Sequence, residues 1–74
     1  MQWSLEQLRQ FVVTAEQGSI SAAARYLGKA QSAVSTAISL LEADLGVELF
    51  TRSGRSAQLT EPGRVLLMEA RELL

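Results

Sequence analysis

The run Gly28-Lys29-Ala30-Gln31-Ser32-Ala33-Val34-Ser35-Thr36-Ala37-Ile38-Ser39-Leu40-Leu41-Glu42-Ala43-Asp44-Leu45-Gly46 carries two patterns at once. Val34, Ile38, Leu41 and Leu45 recur three or four apart, so a helix from Gln31 to Leu45 has one apolar side. Ser32, Ser35, Thr36 and Ser39 fall on the opposite side, which carries no charge before Glu42. A helix face that only meets water normally carries Lys and Glu, and Ser and Thr are mediocre helix formers. Four short hydroxyl side chains there point to a surface that must lie close against another molecule. Gly46 ends the helix. Gly28-Lys29-Ala30 ahead of it has the length and the glycine of the tight turn that joins two helices in a helix-turn-helix unit.

Upstream, a short second helix is expected over roughly Ser21 to Leu27, capped by Ser19 or Ser21. Ala22, Ala23 and Ala24 are small as well as strong helix formers, so they serve propensity, close helix packing, or both. Leu5, Leu8, Phe11, Val12 and Ala15 define an earlier amphipathic helix, with Ser4 at its start and Gly18 at its stop. Downstream, Val47 to Arg52 and Ala57 to Thr60 read as two short strands around the turn Ser53-Gly54-Arg55-Ser56, with Arg52 and Arg55 on either side of the tip. Thr60 then caps a fourth helix. Glu61 and Pro62 suit its first turn, the proline because its missing N–H needs no partner there. Leu66, Ala70 and Leu73, with Leu67 and Leu74 beside them, form the apolar side of that helix. No stop signal follows Leu74, as expected of a piece of a longer protein. The expected core is Val34, Ile38, Leu41, Leu45, Leu49 and Phe50; Trp3 and Tyr26 are expected to be partly buried, and Glu42, Asp44 and Glu48 to form a solvated acidic patch.

Composition removes whole classes of function. The chain has 74 residues, 47% of them hydrophobic, which suits one small folded domain and not a disordered segment. It has no cysteine and no histidine, so it lacks disulfides, thiolate metal ligands and the usual general base. No catalytic constellation, metal site or cofactor is expected. The longest apolar run, Val65 to Met68, is far too short to cross a membrane, and no secretory signal opens the chain. A cytoplasmic, non-catalytic module remains. Seven basic and eight acidic residues give a net charge of −1, unusual for a nucleic-acid binder. Distribution matters more than the total, because Arg25, Lys29, Arg52 and Arg55 lie in or beside turns where they can make a local basic face.

The expected fold is therefore mainly α: a winged helix-turn-helix with a three-helix core and a two-stranded wing over residues 1–60, then the start of a linker helix over 61–74. Such an arrangement suits double-stranded DNA, because an α-helix fits the major groove and its N-terminal residues reach base edges. Gln31 can pair bidentately with adenine. Ser32, Ser35, Thr36 and Ser39 are short enough to let the helix lie deep, with Lys29 beside them. Arg52 and Arg55 can reach the flanking backbone or the minor groove. The competing reading is a winged-helix module that binds a protein partner, since one fold serves many functions.

These residues also carry a family likeness. Leu8 through Val13, Glu16-Gln17-Gly18-Ser19, Ala23-Ala24, Leu27, Gln31 through Ser35, Ile38, Leu41 through Arg52, and Leu59 through Gly63 closely resemble the N-terminal DNA-binding domain of LysR-type transcriptional regulators. The resemblance implies that the third helix reads DNA, the hairpin is a wing, and the fourth helix links and dimerises through Leu66, Leu67, Ala70, Leu73 and Leu74. It implies a homodimer or higher homo-oligomer on an interrupted inverted repeat. It also implies that any small-molecule effector binds a C-terminal domain outside this sequence. Three positions depart from the family pattern. Ala30 stands where the family has Ser, Ser32 where it has Pro, and Thr36 where it has Arg. They forfeit an N-cap worth about 1 kcal/mol, a preset first-turn φ, and a cation on the reading face.

Overall fold

The computed structural model describes residues 3–51 and 56–74; the tip of the expected hairpin, with Arg52 and Arg55, lies outside the described residues. Four helices follow in order: α1 Leu5–Gln17, α2 Ile20–Leu27, α3 Gln31–Leu45 and α4 Glu61–Leu73. Each boundary has a local cause. Ser4 accepts from the Gln7 N–H while the Gln7 side chain accepts from the Ser4 N–H, a reciprocal cap on α1. Ser19 accepts from the Ala22 N–H, so α2 starts at Ile20, one residue earlier than expected. Thr60 accepts from the Gly63 N–H at the head of α4. α3 alone of the four has no side-chain cap, because Ala30 has nothing to offer. Between α2 and α3, Gly28 sits at φ +69°, a left-handed conformation that turns the chain within three residues.

α1 is the hub: it packs against α2, α3 and α4, while α2 packs against α3. The core is built from Leu8, Phe11, Val34, Ile38, Leu41, Leu49 and Phe50, with Ala23, Ala24 and Ala70 where backbones come close. Ala23 and Ala24 of α2 are at most 3% exposed, so close packing is part of their role. The rings of Phe11 and Phe50 lie 5.4 Å apart at 51°, a tilted pair that adds about 0.5–1.5 kcal/mol beyond its burial. Thr14 is also fully buried, its hydroxyl donating to the Gln10 carbonyl one turn back.

After α3 the chain crosses to α4 with Leu49 and Phe50 buried in the core. Among the described residues the pairing is one antiparallel bridge, Phe50 with Leu59. It is flanked by Thr51 N–H to Gln58 O at 2.8 Å and Thr60 N–H to Leu49 O at 3.0 Å. The N–H groups of Leu49 and Phe50 turn instead to the Glu42 carboxylate, at 2.7 and 3.4 Å. Glu42 is buried, which corrects its assignment to a solvated patch: it holds the segment after α3 onto that helix. Ala57 N–H donates to the Gly18 carbonyl, fixing the returning segment on the end of α1. Gly63 closes the arrangement. A Cβ there would run into the Leu49 carbonyl, so only glycine lets α4 lie this close to the crossing segment.

Candidate nucleic-acid interface

α3 presents its hydroxyl face as the sequence requires. Gln31, Ser32, Ser35, Thr36 and Ser39 are all exposed, and Val34, Ile38 and Leu41 opposite them are buried. The face divides between two depressions. Gln31, Ser35 and Ser39 line a groove of about 390 Å³ shared with Ser19, Ser21, Phe50, Thr51 and Ser56. Ser32 and Thr36 border the other side, with Gln7, Ala33 and the exposed Leu40. The face itself is uncharged, so cations must come from its margins.

Two margin residues are described. Lys29 is exposed but lies 3.9 Å from Glu6, an exposed pair worth little in water and easily surrendered to another anion. Arg25 is exposed in the last turn of α2, and its guanidinium donates to the Ser21 hydroxyl at 3.0 Å. The Gln31 amide donates to the same hydroxyl at 3.4 Å. Sequence reasoning missed this link because it joins residues ten apart on two different helices. Tyr26, expected to be partly buried, is instead 65% exposed on α2, since α1 and α3 cover only the face that carries Ala23 and Ala24. Trp3 packs half-buried against the core as expected.

The apolar side of α4 does not form one exposed stripe. Ala70 is fully buried in this chain's own core, and Leu66 and Leu67 are half-buried against it. Leu73 and Leu74 are exposed, joined by Val65 and Met68. An ion pair from Arg71 to Glu16 at 3.3 Å holds the end of α4 to α1. Among the described residues no cluster of three or more acidic, His or Cys side chains could hold a metal, and no helix is long and apolar enough to cross a membrane.

Residues 5–64 match the family model described as bacterial regulatory helix-turn-helix protein, lysR family. The chain is 48% identical over 68 residues to the HTH-type transcriptional regulator ClcR of Pseudomonas putida. It is 50% identical over 68 residues to the regulator TfdS of Cupriavidus pinatubonensis. Each match covers 92% of this chain but 23% of the relative, so the chain spans about a quarter of those proteins. Among solved structures, the DNA-binding domain of CbnR in complex with DNA matches 95% of this chain and 80% of that one, at TM-score 0.90 and 40% identity. The BenM DNA-binding domain on the benA site 1 DNA matches 95% of this chain and 81% of that one, at TM-score 0.92 and 36% identity.

Proposed function

We propose a function from the premise that this chain belongs to the lysR family of bacterial regulatory helix-turn-helix proteins: it is the sequence-specific double-stranded-DNA-binding domain of a transcription regulator. α3 enters the major groove. Gln31 reads a base edge, and Ser32, Ser35, Thr36 and Ser39 lie against bases or phosphates. Lys29, Arg52 and Arg55 contact the backbone, the last two from a two-stranded wing. The observation that carries this reading is the exposed, uncharged hydroxyl face of α3 headed by Gln31, on a fold shared with domains solved on DNA.

Residues 1–60 form the DNA-binding unit and 61–74 begin the linker helix. The exposed Val65, Met68, Leu73 and Leu74 offer the apolar surface for a second copy, so two α3 helices reach an interrupted inverted repeat. An effector site belongs to the part of the relatives' length that this chain does not span.

The test is an anisotropy titration of a duplex selected by the protein from a random pool, beside a scrambled duplex, at several salt concentrations. Binding is expected to fall with log–log slope of about −0.9 per phosphate neutralised, with the selected duplex preferred throughout. No binding to either duplex, with capture of a protein partner instead, would favour the interaction-module reading.

A further inference from the structure

The geometry points to Ser21, on α2, as a positioning residue that orients Gln31 for one base and thereby sets sequence preference from outside the reading helix. This inference rests on the proposed DNA-binding function. The Ser21 hydroxyl oxygen accepts from two side chains, Arg25 at 3.0 Å and Gln31 at 3.4 Å. A hydroxyl oxygen has two lone pairs, so these two donors use its accepting capacity. The consequence for Gln31 is specific. Its side-chain amide has two N–H donors and a carbonyl acceptor. Ser21 engages one N–H. The second N–H and the carbonyl remain, and these are the pair that adenine's N7 and N6 amino group require in the major groove. Guanine offers two acceptors at the same edge and leaves the carbonyl unmatched. Ser21 therefore selects the amide orientation that suits adenine without touching DNA itself.

Its surroundings support a directing role. Ser21 and Gln31 line the same groove beside α3, and Gln31 is exposed, so no packing in the core holds its amide. Gln31 also stands at the uncapped start of α3, where Ala30 supplies no side-chain bond. The turn between α2 and α3 is short and fixed by backbone bonds, including Lys29 N–H to Ala24 O at 2.9 Å. The spacing of the two helices, and hence the reach from Ser21 to Gln31, is therefore set by the fold.

The experiment is a double-mutant cycle with Ser21→Ala, Ser21→Thr, Gln31→Ala and Arg25→Gln. Each protein is titrated against a duplex selected from a random pool and against the three base-pair variants at the position where Gln31→Ala loses preference. Ser21→Ala should reduce the adenine preference there about two- to tenfold, the cost of ordering one side chain on binding. Its salt slope should stay at the parent's value. Ser21→Thr keeps the hydroxyl and should keep the preference. On the Gln31→Ala background, Ser21→Ala should have no further effect. Melting curves of the variants should superimpose on the parent's, since Ser21 is not in the core. The inference is overturned if Ser21→Ala leaves the adenine preference intact, or weakens all duplexes alike on both backgrounds. It is also overturned if Ser21→Ala changes the salt slope as Arg25→Gln does, because Ser21 would then act through the arginine. A parent that selects no duplex overturns the DNA-binding reading and this inference together; a selective parent with an inert Ser21→Ala overturns this inference alone.

Discussion

Glu42 illustrates how one side chain can serve two parts of the fold. It sits on α3 next to Leu41 in sequence but one step around the helix from the core face, and it reaches forward to the N–H groups of Leu49 and Phe50. Those donors are buried with it and have no strand partner on that edge among the described residues. Glu42→Ala removes the acceptor and leaves buried N–H groups unpaired, so it should destabilise the domain by about 1–3 kcal/mol. Glu42→Gln keeps one accepting oxygen and should lose clearly less. Chemical denaturation of the three proteins measures both differences; equal stability of all three would show that water replaces the carboxylate. The sequence signalled this only faintly, through an acidic residue on the flank of an apolar stripe. Its partners lie seven and eight residues on, beyond the reach of helical periodicity.

The elements divide by how they are specified. α1, α2 and α4 each have a capping side chain, and all four helices begin within a residue of where period and punctuation place them. α3 is the exception at its N-terminus, where Ala30 leaves the first N–H groups without a side-chain acceptor. Ala30→Ser supplies one, and the backbone at residue 30 is already extended, with φ −71° and ψ 148°. The substitution should stabilise the domain by about 0.5–2 kcal/mol, read as a rise in melting temperature. An unchanged or lower value would mean that the start of α3 is satisfied in another way. The crossing segment was less legible than the helices. Residues 47–52 and 57–60 read as two short strands; the described part holds a single bridge, and the Leu49 N–H, which the antiparallel ladder would direct at Thr60, goes to Glu42 instead. Tyr26 departs from its expected partial burial for a related reason: a single helix in sequence does not reveal which of its sides another helix covers.

At the scale of the molecule, charge and shape divide the labour. A net charge of −1 gives no long-range attraction to a polyanion, and several cations are already opposed by carboxylates: Lys29 by Glu6, Arg64 by Glu61, Arg71 by Glu16. Under the proposed function, affinity comes from a few well-placed contacts and from two copies acting together, and selectivity from the neutral face of α3. The family likeness and the hydroxyl face were both legible in the sequence; the link from Ser21 to Gln31 was not, since it exists only once α2 and α3 are packed. The most direct test of the central claim, that α3 reads bases through Gln31, compares the parent with Gln31→Ala on a selected and a scrambled duplex at matched salt. The account predicts that Gln31→Ala loses about 1–3 kcal/mol on the selected duplex and almost nothing on the scrambled one. Equal losses on both duplexes, or none on either, would contradict it.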